Sequence, residues 1–492
     1  MKSGNYRVSK IIGLMIVALG AFFTSLDQTV VVTALPDMMR DLKIPISDID
    51  QSSWIITAYL LGYTVSMPIV GRLGDVFGYC RIYQIALLIF LVGSVMVAVS
   101  GNLGLLIGSR LFQSLGGSAA IPIGMALAFT ILPVERRGLA LGIVGGAAEA
   151  GSMLGPAYGA LIAELLNWRW IFWLNIPQVL LLMVLLTRVY NQPHRTSRVD
   201  YIGGGILTVG LSMITVALCM EQFFSLTSFT PYVAILIGIA LLIVLFKHQS
   251  KVSSPILPVQ LFSSSSVISA MVTQILVGAA LIIILVTIPL MAHTVMGKDP
   301  SVGALWLLRL TIFIPVGAIT GGALFNVLKV RPLTLIGLIF IGVGMLAAST
   351  WPMDVRDPEL TVTLAATGFG FGLVIVPLMH VVLDTCPADY RASAASWIVV
   401  FRIMGMTVGL AGLSTWGVGQ YQDLTADLAN PAVLSSGLSE QAADIIAAYT
   451  EAGLKLFHHF LIIGGGMALI ALIPSLFMKP VDPDKTIHVL ES

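Results

Sequence analysis

The chain has 492 residues, of which 57% are hydrophobic and only 10% charged, with a mean hydropathy of +0.95 and a formal net charge of +1. Soluble domains carry about 25% charged residues, so this composition identifies an integral membrane protein. The near-zero charge and the lack of a long basic run argue against a nucleic-acid partner.

Apolar segments of about 20 residues are the spanning unit of helical membrane proteins. In chain order they fall near 11–33, 52–71, 82–100, 103–130, 138–163, 170–188, 201–220, 231–247, 267–291, 302–326, 332–350, 360–383, 392–419 and 454–477, which makes fourteen. The first run, from Ile11, is too long for a cleaved signal peptide and is followed by many further spans, so it is expected to stay. An even count puts both termini on one side. Of the 26 lysines and arginines, 17 fall on that side, 6 opposite and 3 within spans. The positive-inside rule therefore predicts a multi-pass protein of the plasma (inner) membrane with both termini in the cytosol. On this topology Cys80 and Cys386 face the cytosol and Cys219 the other side, so no structural disulfide is expected. The cysteines have no metal spacing, and nothing resembles a phosphate-cradling loop, a haem motif or a nucleophilic triad. No metal, no cofactor and no enzyme chemistry are expected.

Span 5 contains the sequence GLALGIVGGAAEAGSMLGPAYG, residues 138–159. Glycines at 138, 142 and 146, and again at 151, 155 and 159, stack on helical faces where another helix can approach closely. Pro156 removes a backbone donor and is expected to bend the helix. Glu149 lies in the middle of this apolar element. The outer segment 420–453 has five acidic residues and no lysine or arginine. Ser439 there is positioned to cap a short amphipathic helix; the segment reads as a solvated loop, or as a docking surface if a periplasmic adaptor exists.

An internal repeat is visible. Pro133-Val-Glu135-Arg136-Arg137-Gly138-Leu-Ala140 recurs as Pro387-Ala-Asp389-Tyr-Arg391-Ala392-Ser-Ala394, an offset of 254, and Gly71-Arg-Leu73-Gly-Asp75 recurs as Gly322-Ala-Leu324-Phe-Asn326, an offset of 251. Two homologous six-helix bundles are expected, residues 1–190 and 256–492, with two extra helices in 191–255 between them. Parallel halves with a binding site near the midplane are a known transporter plan.

Ionisable side chains at membrane depth are costly and usually face a cavity or a partner. Five stand out: Asp27, Arg110, Glu149, Arg309 and Arg402. A helix rises about 1.5 Å per residue, which puts Asp27 about 13 Å and Arg110 about 10 Å inside the outer boundary. They share a level and are expected to pair, either as a structural ion pair or as one that also senses protons or substrate. Glu149 and Arg402 each lie about 16 Å from the cytosolic end of pseudo-equivalent helices. An uncompensated carboxylate there would be pushed by desolvation towards its protonated form, which suits proton exchange; the alternative is a permanently protonated, hydrogen-bonded glutamate. Arg309 has no obvious partner and lies nearer the outer side; it is assigned to the cavity with Arg402, with a structural or snorkelling role as the alternative.

Five stretches carry a family resemblance. Leu26-Asp27-Gln28-Thr29 with Ala34-Leu35-Pro36 resembles a first-helix motif, LDxT followed by ALP. Gly71-Arg72-Leu73-Gly74-Asp75-Val76-Phe77-Gly78 is similar to the loop between helices 2 and 3 of the major facilitator superfamily. Arg110-Leu-Phe-Gln113 resembles its fourth-helix motif, Gly151 to Gly159 its fifth-helix exporter motif, and Trp168-Arg169-Trp170-Ile171-Phe172 with Asn175 and Pro177 its entry to helix 6. Together they resemble the fourteen-helix drug:proton antiporter branch, with departures at Val76, Tyr79, Cys80, Ser114, Ala160 and Asn326. The resemblance implies an all-α major facilitator fold and a multidrug exporter that exchanges lipophilic compounds for protons by alternating access. Alternatives are export of a lipid, siderophore or endogenous metabolite and, further off, a non-transporting sensor or scaffold. In the exporter reading Asp27, Glu149 and Arg110 couple protons. Gly151, Gly155, Pro156 and Gly159 form a hinge and seal. Gly71, Asp75 and Gly78 make a cytosolic gate, latched by Arg136 or Arg137 to Asp75.

Overall fold

A backbone in hydrocarbon has to satisfy its own N–H and C=O groups, which leaves helices as the economical way for this chain to cross. The computed structural model describes residues 5–44, 49–187, 199–219, 229–252, 254–256, 259–425 and 440–479, and all regular structure among them is helical. In order the helices are α1 (Asn5–Asp41), α2 (Ile49–Phe77), α3 (Tyr79–Ala98), α4 (Leu103–Gly117), α5 (Ala120–Ile131), α6 (Arg137–Leu165), α7 (Arg169–Leu186), α8 (Tyr201–Cys219), α9 (Thr230–Gln249), α10 (Ser265–Leu290), α11 (Pro300–Thr311), α12 (Phe313–Leu328), α13 (Val330–Ala348), α14 (Glu359–Thr385), α15 (Arg391–Thr425), α16 (Glu440–Ile470) and α17 (Leu472–Ser475). They supply 14 segments long and apolar enough to cross a membrane, as the hydropathy pattern predicts.

Two spans expected to be continuous are broken, and proline explains both. Pro122 has no N–H for the Ser118 carbonyl, and the chain changes from α4 to α5 around Ser118. Pro315 likewise leaves the Thr311 carbonyl without its helical partner, where α11 ends and α12 begins. Near the C-terminus, the short capped helix expected after Ser439 is instead the first part of α16, one helix of 31 residues that continues into the last span. Ser439 itself and the rest of 426–439 lie outside the described residues.

The repeat is a structural repeat. Pro133 and Pro387 are both extended, each is followed by a single 3-10 turn (Val134–Arg136 and Ala388–Tyr390), and each turn opens a long helix, α6 or α15. The second match extends further than the letters show. Gly78 has φ 93° where α2 gives way to α3, and Lys329, offset by the same 251 residues, has φ 60° where α12 gives way to α13. Glycine takes this region freely; a lysine there is held by its surroundings.

Helices α1 and α6 pack along much of their length, and the halves of the repeat meet through α6 against α12 and α2 against α15. The inserted α8 and α9 pair with each other, and α8 lies over α2 and α15. Leu207, Leu211, Ile214 and Ala217 form its buried stripe, while Leu236, Ile243 and Val244 of α9 are exposed on the outside of the molecule. The first seam, α2/α15, is therefore covered by an additional helix.

Candidate functional site

Asp27, on α1, is wholly buried with Arg110 of α4. Arg110 Nη1 donates to Asp27 Oδ2 at 2.8 Å and to Gln113 Oε1 at 2.7 Å. Asn175 Nδ2 and Gln113 Nε2 donate to Asp27 Oδ1 at 2.7 and 3.1 Å, and Ser94 Oγ accepts from Gln113 Nε2 at 2.8 Å. Helices α1, α3, α4 and α7 thus converge on one carboxylate. The Arg110 guanidinium also lies 4.0 Å from the centre of the Tyr59 ring on α2. Depth counting identifies the pair; Gln113, Asn175 and Ser94 complete it. The two amides stand out in apolar spans and were the available signal for this network.

Glu149 and Arg402 also meet, with Arg402 Nη1 donating to Glu149 Oε1 at 2.5 Å. This contact joins α6 of the first half to α15 of the second. The contact that their equal depth suggests is made, so Glu149 is compensated by Arg402. The pair remains partly exposed, at 20% for Arg402 and 16% for Glu149, whereas Asp27 and Arg110 are at 0%. One carboxylate is sealed inside a half; the other is partly exposed where the halves meet.

The two glycine sets of α6 serve different partners. Gly138, Gly142 and Gly146 lie against α12, close to Gly322, Ala318 and Pro315, while Gly151, Gly155 and Gly159 lie against α1, close to the backbone of Phe22, Leu26 and Val30. A Cβ at Gly142, Gly151, Gly155 or Gly159 would come within 2.8 Å of a backbone carbonyl. Pro156 sits within an unbroken α6. The Ser152 carbonyl, which would bond an N–H at position 156, instead accepts from Thr29 Oγ1 at 2.9 Å, and Thr33 Oγ1 donates to the Pro156 carbonyl at 2.8 Å. The second glycine set and the proline are therefore clamped to α1 inside the first half. They seal two helices of one bundle.

The latch between the halves uses other partners than expected. Asp75 does not face Arg136 or Arg137. It receives the backbone N–H groups of Ala392 and Ser393 at 2.9 and 2.8 Å, the Ser393 hydroxyl at 2.6 Å and the Tyr79 hydroxyl at 2.9 Å. A carboxylate at the start of α15 satisfies orphan donors there and faces the positive end of the helix dipole. Arg72 donates to the Asp389 carbonyl at 2.9 Å and covers the Tyr390 ring at 4.1 Å. Arg137 approaches Asp384 at 3.8 Å, and it and its repeat-equivalent Arg391 lie 4.3 and 5.0 Å from the centre of the Phe129 ring. Gly71 packs on Ala392, just as Gly322 packs on Gly138. In the second copy, Asn326 donates to the Glu135 carbonyl. The latch is pseudo-symmetric in position and asymmetric in charge. His380 belongs to it, with its ring 4.2 Å from Phe325 and 5.3 Å from Phe129.

Arg309 departs from its assignment to the cavity. Its Nη1 donates to Asp357 Oδ1 and Thr361 Oγ1, both at 2.6 Å, in the exposed region where α14 begins. The nearby guanidinium and the Thr361 hydroxyl hold the Asp357 carboxyl below its usual range. A cation near the end of a span found a surface acid that counting along the helix did not bring to it.

A family model described as Major Facilitator Superfamily matches residues 17–410. The chain belongs to the major facilitator superfamily. Among curated relatives, a triacylglyceride transporter of Mycolicibacterium smegmatis is 34% identical over 478 residues, covering 92% of this chain and 84% of the relative. A triacylglyceride transporter of Mycobacterium tuberculosis is 33% identical over 476 residues, 92% of this chain and 90% of the relative. Among solved structures, the proton:xylose symporter XylE bound to 6-bromo-6-deoxy-D-glucose superposes with a TM-score of 0.62 at 13% identity, covering 95% of each chain. The human organic anion transporter MFSD10 gives 0.63 at 12%, covering 95% of this chain and 99% of the other. At such identities the likeness concerns the fold alone, and the fold is that of superfamily transporters.

Proposed function

We propose that this chain exports a lipid, or a molecule of similar long-chain apolar character, in exchange for protons by alternating access. The relatives' printed names favour lipid over the lipophilic drugs that the motifs suggest. The observation that carries the transport reading is the Glu149–Arg402 pair, because it bridges the two repeat halves and stays partly exposed. In this reading the bundles are 1–190 and 256–492 with 191–255 inserted, and the face bearing Asp75, Arg137 and Asn326 is cytosolic. The latch contacts then hold the cytosolic side shut. Protonating Glu149 removes the charge that holds Arg402, so it weakens one cross-half contact and moves the population between the two access states. Asp27, held by Arg110, Gln113 and Asn175, supplies a second carboxylate whose partners must rearrange when its charge changes.

The test is export of labelled triacylglycerol from proteoliposomes into acceptor vesicles under an imposed pH gradient, with a lipophilic cation assayed in parallel. Gradient-dependent lipid transfer that outpaces the cation supports the reading. Lipid transfer indifferent to the gradient overturns the proton coupling, and transfer of the cation alone overturns the lipid cargo.

A further inference from the structure

Between the two ion pairs stands a short aromatic column on α2. Tyr59 and Tyr63 are four residues apart, so they share a helical face. Their rings stack with centroids 6.0 Å apart and planes 20° from parallel. Tyr59 lies under the Arg110 guanidinium of the first pair. Asp27 and Arg110 act electrostatically on Tyr59, and Glu149 and Arg402 on Tyr63. The column therefore reaches from one pair towards the other.

Both phenol oxygens are buried and meet no protein hydrogen-bond partner among the described residues, and the same holds for Tyr83 on α3. The Tyr83 hydroxyl packs against Gly20 and the Tyr59 hydroxyl against Gly117. Buried hydroxyls in folded proteins nearly always pair with protein or with an internal water. Three phenols in adjoining positions, none paired to protein, mark a place that binds water.

We infer that Tyr59 and Tyr63, with water bound at their hydroxyls, form a relay that carries a proton between Glu149 and Asp27. The inference rests on the proton-coupled reading above. In each hop the phenol oxygen accepts a proton from one side while its own O–H proton leaves to the next water. Each tyrosine ends neutral with its O–H intact, one carboxylic acid becomes a carboxylate and the other carboxylate becomes the acid. Arg402 and Arg110 are the cations facing the two ends, and Tyr83 borders the column.

Tyr59→Phe and Tyr63→Phe remove only the hydroxyls, keeping the stacked rings and the ring beneath Arg110. In full-length protein in proteoliposomes, two rates are compared: lipid export driven by a pH gradient, and lipid exchange with no gradient. Each variant should lose at least tenfold in the driven rate while keeping gradient-free exchange within twofold of wild type. Tyr63→His, which restores a donor and an acceptor, should recover part of the driven rate. A wild type that responds to the gradient, with both phenylalanine variants driven at the wild-type rate, would overturn the relay and leave the proton coupling intact. A wild type that ignores the gradient overturns the coupling and the relay together. Equal losses in driven and gradient-free rates, unrescued by histidine, would make the tyrosines structural and also overturn the relay.

Discussion

Thr29 offers the sharpest test of how α6 tolerates a proline. The Ser152 carbonyl has lost its helical donor to Pro156 and takes the Thr29 hydroxyl at 2.9 Å instead. Thr29→Val keeps the shape and the branched Cβ but removes that donor. Leaving a buried carbonyl unpaired costs about 1–3 kcal/mol, and since this site is only partly buried the lower half of that range applies. Pro156→Ala restores an N–H at the position that would bond Ser152, so in that background the threonine becomes dispensable. The cycle should therefore show a coupling of about 1 kcal/mol, with Thr29→Val costing much less beside Ala than beside Pro. Equilibrium unfolding in mixed micelles with a denaturing detergent measures all four proteins. Additivity within about 0.3–0.5 kcal/mol, the usual scatter for independent sites, would refute the claim that Thr29 substitutes for the missing N–H.

The other predictions use the same logic of partners. Asp27→Asn leaves Arg110 as a buried cation and turns one acceptor into a donor facing other donors, so it should destabilise the protein by about 3–5 kcal/mol in the same unfolding assay. Glu149→Gln, in a partly exposed pair, should leave thermal stability nearly unchanged while abolishing gradient-driven export and keeping substrate binding measurable; undiminished export would remove Glu149 from the mechanism. Asp75→Asn keeps an acceptor but removes the charge facing the start of α15, worth about 0.3–2 kcal/mol against the helix dipole. Spectroscopic distance measurements across the latched face should then show its closed form losing population; an unchanged distribution would mean that the cap does not favour closure. Lys329→Gly relieves a non-glycine residue at φ 60° and should raise stability by about 1 kcal/mol, read as a higher unfolding midpoint.

Span count and both intramembrane ion pairs were legible in the sequence because they depend on rules that act along one helix. Hydropathy fixes length in the bilayer, and a fixed rise per residue puts Asp27 level with Arg110 and Glu149 level with Arg402. The repeat was legible where residue identity persisted, at Pro133/Pro387 and Gly71/Gly322. It was hidden where only conformation persisted, as with Gly78 and Lys329, since a lysine does not advertise a left-handed backbone. Partner choice was the main loss. Asp75 was matched to nearby arginines because charge suggests charge, whereas the structure gives it the backbone N–H groups of α15. Those donors carry no letter in the sequence and become available only when the second half docks. Arg309 was misplaced for a related reason: Asp357, 48 residues away, reaches it through the packing of α11 on α14.

The asymmetry of the latch bears on how the halves could part. At the α2/α15 seam a carboxylate receives three donors from α15, two of them backbone groups at its start, and α8 covers the outside. At the α6/α12 seam the equivalent residue is neutral Asn326, which gives one hydrogen bond to a carbonyl. Charge-assisted bonds are roughly twice as strong as neutral ones, so the α2/α15 seam holds the stronger hydrogen-bonded cap, while the α6 side relies on more extensive helix packing and on the Arg137–Asp384 approach. Glu149 sits on α6 and Arg402 on α15. Their bond is diagonal, tying a helix of one seam to a helix of the other. In the proposed proton-coupled reading, neutralising Glu149 releases this diagonal tie and so acts on both seams at once.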